Sequence, residues 1–570
     1  MGEQADEQMP FEEWDALTSG IQQSQSLAAY FDRAVLEEVL LKSHRFMQRQ
    51  KMVDRVMKGR NFSHLYQVLA DPPEDWQQRA DAVQWHEAIE TGWKYTGKYG
   101  RIWPYDGAGA SIAALLSMHY PKLGIHILHD AAVAADTSVA LIDHNTALGY
   151  RGLTFFSYNT KDDDYVDNRM ISGLTAWVVI GVLREAREAK SARHLRWVTD
   201  VLRDYFFLRQ VYDGRAFADG YAADQRYGHI RAGFEVDLET GHHREYEHTI
   251  GEHTTDMLEI YKLAAHVLDE LSREEVSAAF DGQPEALTAF RQELVRRHEA
   301  SVMALRMMRV EGSCGGEQAD PAWARLPHFV SARLANGDYA TSTVSGDYSV
   351  AVDNQTWFAS QVLPYDEARV REALCYLKAR FIRDTWVLGA DGTWKRFRGT
   401  FFFAWDFSDP FVEPPPEHRA VMEEVLHPEG TLGALKLILD ILRFSRDETF
   451  RSEAAALFVE LYDNLLVLHR HWGTDGLRYA SRNLPGLFTT LESMAGTTWF
   501  AGVTAMILGS SCEHFLGGTP PRDFLVDGRA PAQPRPQPLA VTLTDDQRRR
   551  IDAERHRLTT QTGLPQPPTA

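Results

Sequence analysis

Acidic side chains recur at one kind of place in this chain, at the start of an apolar helical pattern. The fullest case is Glu245 to Ala265, EYEHTIGEHTTDMLEIYKLAA. At 3.6 residues per turn, Glu252, Asp256 and Glu259 fall on one narrow face, and Ile250, Met257, Tyr261, Ala265 and Leu268 fall roughly opposite. The apolar side can pack on a neighbouring helix, so the acidic side must meet water or line a pocket. Two carboxyl groups brought together in a pocket can divide acid and base work between them. Thr249 and Glu252 also have the spacing of a capping box, which would use Glu252 to hold the helix start.

Related starts appear as SGLTAW, VDNQTW, HPEGT and AGTTWF. Each has a small, acidic or amide residue at the helix start, often with Trp a few residues on. One such start is ordinary capping. Several at wide spacing suggest helix N-termini that converge on a common rim.

The elements around them read as roughly a dozen helices in pairs. Leu27 to about Met57 is helical in pattern, and a second piece follows from Trp76 to Thr96. In RIWPYDGAGASIAALLSMHY, Pro104 and Gly107 break the chain, and a helix of small residues starts just after Asp106. Small residues let neighbouring helices approach closely, as on an inner ring. Further pairs follow to about Gly509. Irregular stretches lie between them, one near residues 211–245 with hairpin signals and one from Val387 to Pro416. There is no βαβ alternation and no Gly-rich phosphate loop. The segment after Gly517 is rich in Pro and Arg, with a charged helical piece near Thr544 to Leu558. It reads as an extended, partly disordered arm.

Composition sets outer bounds. The 570 residues carry 60 Lys and Arg against 80 Asp and Glu, a net charge of -20. That argues against nucleic acid or an anionic membrane as partner. The three cysteines, Cys314, Cys375 and Cys512, show neither a disulfide framework nor zinc spacing. The acidic start has no apolar signal-like stretch and no run is long enough to cross a membrane, so a cytoplasmic protein is expected. His242, His243, His248 and His253 lie near several acids, but the spacing of His248 and His253 does not suit two ligands on one helical face, and HExxH is absent. Neither metal nor cofactor is expected.

YDGAGASIAALL at Tyr105, TAW at Trp177, EHTTDMLEIY at Glu252, VDNQTW at Asp353, PEGT at Glu429 and TTWF at Trp499 together resemble the six-hairpin glycosidase type. The resemblance spans about Arg101 to Gly509. It implies an all-α fold, an (α/α)6 toroid of inner and outer helices with irregular loop insertions and an extended C-terminal tail. The expected division is residues 1–100 as a helical segment packed on the toroid, 101–516 as the toroid and 517–570 as the arm. In such proteins inner-helix starts form a carbohydrate cleft with aromatic walls and carboxylate catalysts.

On that basis the expected activity is glycoside hydrolysis of an oligosaccharide or glycoconjugate. One carboxyl protonates the leaving oxygen and a second activates water or attacks the sugar. Glu252 and Asp353 are the first pair, with Glu429 and Asp256 as alternates. Tyr105, Asp106, Trp177, His253, Gln355, Trp357 and Trp499 are expected to bind substrate. Asp353 and Asp106 also suit plain caps, Glu429 suits a first-turn acid favoured by the helix dipole, and each Trp, with Trp386 and Trp405, also suits the core. The same toroid admits an epimerase or lyase with His248 or His253 as proton carriers, or a noncatalytic binding protein. Oligomeric state is left open.

Overall fold

The computed structural model describes residues 25–57, 59–96, 101–118, 120, 126–149, 154–155, 157–159, 164–312, 325–341, 348–401, 424–484, 488–510, 518–535 and 539–564. Twelve helices build the ring. In chain order they are α1 (Arg33–Gln50), α2 (Pro104–Ser117), α3 (His126–Ala147), α4 (Ser172–Glu188) and α5, which runs from Ala192–Val201 through Leu202–Phe206 to Phe207–Arg209. Next come α6 (Gly251–Glu270), α7 (Pro284–Arg306), α8, which joins Asn354–Phe358 to Ala359–Val362, and α9, which joins Glu367–Tyr376 to Leu377–Phe381. The last are α10 (Pro428–Phe444), α11 (Glu448–Trp472) and α12 (Met494–Ile507).

The even-numbered helices form a closed inner circle. α2 packs on α4, α4 on α6, α6 on α8, α8 on α10, α10 on α12, and α12 returns to α2. The odd-numbered helices lie outside: α3 packs on α2, α5 on α4, α7 on α6, α9 on α8, α11 on α10, and α1 on α12. This is an (α/α)6 toroid.

Side-chain size explains the tightness of the circle. The inner helices are apolar on nearly every side, as expected for helices with neighbours all round. The small residues of α2 allow two close crossings. A methyl on Gly181 of α4 would lie 3.2 Å from Cα of Ala108, and one on Gly109 would lie 2.9 Å from Oγ1 of Thr498 on α12. Leu435, Ile438, Leu461, Tyr462, Phe500 and Val503 are fully buried between inner and outer layers. Each contributes about 1.5–3 kcal/mol by leaving water.

Strands are short and peripheral among the described residues. The expected hairpin region supplies Gly233–Val236 and His243–Glu245, which join Arg169–Ile171 in a three-stranded sheet. Two differences from the sequence reading stand out. The helix expected to reach Met57 ends at Gln50, and Lys51–Met57 pairs instead with Arg60–Tyr66 across Gly59, whose φ is +78°. The stretch read as irregular after Val387 begins within a second hairpin, Ile382–Leu388 with Trp394–Thr400, turned at Gly392.

The ring also begins earlier than residue 101, because α1 closes it against α12. The described part of the C-terminal segment differs from a loose arm. The amide of Arg535 donates to the carbonyl of Arg443, and Val541 pairs with Gln25. Asp545–Thr560 forms α13, packed on α11. The expected charged helix is present, and its Thr544–Gln547 capping box is complete. The segment docks because Phe524, Leu543, Ile551 and Leu558 are buried. No described helix is long and apolar enough to cross a membrane.

Candidate functional site

The six inner helices start at one end of the ring, and the candidate residues lie in those starts. The expected capping box at Glu252 does not form. Thr249 pairs with Arg333 in a short bridge, and Ile250 takes the cap position with no side-chain bond. Glu252 is therefore left half-buried in the first turn of α6. Asp353 makes no cap hydrogen bond at the start of α8. At α10 the cap is His427, which sequence reading passed over: its Nδ1 accepts from the amide of Gly430 at 3.1 Å. Glu429 is thereby free of capping.

Four aromatic rings meet across the ring axis. The Trp357 and Trp499 indoles stack at 5.4 Å with 6° between planes. Trp177 lies 5.8 Å from Trp499 and 6.2 Å from Trp357, and Tyr105 meets the Trp177 edge at 4.8 Å. The three indoles are buried, so they form a floor that closes the axis rather than open walls. Each such ring pair is worth about 0.5–1.5 kcal/mol beyond its buried area.

Tyr105 joins this floor to the rim. Nε1 of Trp499 donates to its hydroxyl at 2.6 Å, and the hydroxyl donates to Oε1 of Glu429 at 2.9 Å. Burial raises the Glu429 carboxyl to about 7, against the lowering pull of the Tyr105 bond. Asp106, one residue on, is fully buried, and neither of its carboxyl oxygens has a hydrogen-bond partner among the described residues. Burial first, and the Glu429 charge second, push it well above the usual carboxylate range.

A second acidic group lies between α6 and α8. A methyl on Gly251 would lie 2.1 Å from Cζ of Phe358, so the two helix starts touch directly. Asp256 is buried there, and both its oxygens are without hydrogen-bond partners among the described residues. Burial raises it, and the charges of Asp353 and then Glu259 raise it further. Glu259 itself belongs elsewhere. Arg184 Nη2 donates to its Oε1 at 2.7 Å and Lys262 Nζ reaches its Oε2 at 2.9 Å. Burial opposes its charge, but Lys262 and Arg184 prevail and hold it at about 2.

Two expected binding residues serve the fold. Gln355 donates to the carbonyl of Phe329 at 2.7 Å and accepts from the Phe329 amide at 3.2 Å. His253 lies against Gly173 of α4, where a methyl would come within 2.3 Å of its ring. Burial lowers its imidazole to about 3, so it is neutral at neutral pH. Burial also lowers His248, and His427 falls to about 3 for the same reason. Trp386 is half-buried in the second hairpin, and Trp405 lies outside the described residues.

Charge is sorted along the axis. The first eight residues of each inner helix contain no Lys or Arg, yet hold Asp106, Glu252, Asp256 and Glu429, with Asp353 just before α8. Among the inner-helix cations, Arg184, Lys262, Lys436 and Arg443 come from the middle of their helices onward. They form a second, buried cluster with Glu259 and Asp440. Among the described residues no three groups stand as metal ligands.

No family model and no curated protein matches this chain. Among solved structures it is similar to a D-mannose isomerase, with 9% identity, a TM-score of 0.49, and coverage of 85% of this chain and 99% of that one. It is also similar to cellobiose 2-epimerase from Bacillus thermoamylovorans B4167, with 9% identity, a TM-score of 0.47, and coverage of 84% and 100%. At this distance neither likeness bears on the chemistry, and the ring stands on its own helix contacts.

Proposed function

We propose that the protein is a carbohydrate-active enzyme, a glycoside hydrolase acting at the rim of the inner-helix starts. The observation that carries this is Glu429: a half-buried carboxyl raised to about 7 and held by Tyr105 at 2.9 Å. Such a group keeps its proton near neutral pH and can give it to the oxygen of a leaving sugar. Asp353, bound to no cap and placed at the start of α8, is the second carboxylate. It takes a proton from water as water attacks the anomeric carbon, or attacks that carbon itself. The C–O bond to the leaving sugar breaks, the proton of Glu429 goes to that oxygen, and water supplies the new hydroxyl. Glu252, half-buried in the first turn of α6, is the alternate for this role.

The aromatic floor supports the reading in a different way from that expected. The stacked Trp357 and Trp499 close the axis, and Tyr105 ties that floor to Glu429 at the rim. The test is release of reducing ends from a broad panel of oligosaccharides. Wild type should cleave at least one, while Glu429→Gln and Asp353→Asn should lose about 10²–10⁴-fold in turnover and keep the wild-type melting temperature. Full activity in both variants rejects this pair.

A further inference from the structure

Asp256 is 1% exposed in the second turn of α6, and no N–H or O–H group among the described residues donates to either of its oxygens. A carboxyl kept for structure looks different in this same helix. Glu259, less than one turn on, has Arg184 Nη2 on Oε1 and Lys262 Nζ on Oε2. An ionised carboxylate can only accept hydrogen bonds, so a buried one that receives none is costly. A protonated carboxyl owns one O–H and is satisfied by giving it to an acceptor.

The acceptor at hand is on the next inner helix. Gly251 has no side chain, and a methyl there would lie 2.1 Å from Cζ of Phe358, so α6 and α8 start in direct contact. Of the charges that reach Asp256, that of Asp353 just before α8 acts most strongly, ahead of Glu259. Glu252 stands one turn earlier on α6, His253 is neutral, and Arg184 and Lys262 are engaged with Glu259. Two neighbouring carboxyls that feel each other's charge tend to keep one proton between them. Asp256 is fully buried and Asp353 only half-buried, so burial places that proton on Asp256.

Resting on the hydrolase reading above, we propose that Asp256 is a positioning residue: it keeps its proton, donates that hydrogen to the Asp353 carboxylate, and so holds Asp353 ionised and aimed. Asp256 is too deeply buried to meet the sugar itself and acts only through Asp353. An O–H donated to an ionised oxygen makes a bond about twice as strong as one between neutral groups. Burial of the pair's inner member thus serves the outer one.

The experiment sets two variants against two readouts. Asp256→Leu puts an apolar side chain in an apolar place and should melt no lower than wild type. Its turnover should fall about tenfold or more as Asp353 loses its aim, with KM little changed. Without the donor Asp353 protonates more readily, so the acid limb of kcat/KM should move up by about one pH unit. Asp256→Asn keeps an N–H donor, and it should restore most of the turnover and return the limb to its wild-type place. An unmoved limb in Asp256→Leu would reduce Asp256 to packing, and a limb moved down in Asp256→Asn would show that Asp256 carries charge. Either result overturns the proposal.

Infrared spectra of protein with isotope-labelled aspartate give the second readout, which needs no substrate. Wild type at neutral pH should show a protonated-carboxyl band that Asp256→Asn removes. Asp353→Asn should shift that band to higher frequency by taking away its ionised acceptor. A missing band, or one indifferent to Asp353, overturns the proposal. A band that responds in a protein that cleaves no glycan would reject the hydrolase reading and leave the contact of Asp256 with Asp353 standing. Cleavage with an indifferent band would do the reverse.

Discussion

The hydroxyl of Tyr105 donates to Oε1 of Glu429 across 324 residues of chain, at 2.9 Å. The bond favours the ionised carboxylate, while burial favours the protonated acid, and burial prevails. Tyr105→Phe removes only the favouring donor. Glu429 should then hold its proton to higher pH, and the alkaline limb of kcat/KM should move up. Turnover should also fall about tenfold as the acid loses its orientation. A pH–rate profile of the variant that matches wild type would separate Glu429 from the alkaline limb.

Asp106 gives a stability prediction with a definite sign. Its ordinary carboxylate value is 3.8, and burial raises it well above that in the folded ring. The folded protein therefore keeps a proton that the unfolded chain has released, and stability falls as pH rises from about 4 through the folded value. Asp106→Asn removes that loss. Its melting temperature should exceed wild type at pH 8 by more than at pH 4. A gain confined to low pH would contradict the burial argument.

Glu259 is the reverse case. It neutralises two buried cations, Arg184 and Lys262, in a place water does not reach. Glu259→Gln leaves both without their shared counter-charge and should cost about 3–5 kcal/mol, measured by denaturant unfolding. A loss below about 1 kcal/mol, the size of an exposed pair, would mean that the cluster is not holding the ring together.

The C-terminal segment offers a test of its role in the fold. Lys262 Nζ donates to the carbonyl of Gly518 at 3.1 Å, Tyr365 to that of Phe524 at 2.8 Å, and Arg451 to that of Ala540 at 2.7 Å. Phe524 and Leu543 are fully buried. Ending the chain at Gly517 should lower the melting temperature by many degrees or leave the protein insoluble. Unchanged melting would show that these contacts add nothing.

Part of this architecture is legible in the chain alone. The helix starts near Gly251, Pro428 and Met494 follow from the local signals before the apolar runs, whereas α2 begins at Pro104 rather than just after Asp106, because Pro suits the first turn of a helix. The small residues of α2 announce close packing for the same reason, and Gly109 against Thr498 realises it. Thr544 and Gln547 spell out a capping box, which forms.

What the tertiary structure decided are relationships between residues far apart in the chain. Thr249 and Glu252 have the spacing of a cap, but pairing with Arg333 takes Thr249 away, and no local pattern carries that. α1 has the same amphipathic look as any surface helix, and only its packing on α12, at the far end of the chain, makes it part of the ring. The C-terminal segment has too few apolar residues to fold by itself, and it is ordered because the ring supplies the other half of its core. Glu259 shares a helical face with Asp256, and in sequence the two look alike. Lys262 lies three residues on in the same helix, but Arg184 comes from α4, which only the closed circle brings beside Glu259, and nothing described neutralises Asp256.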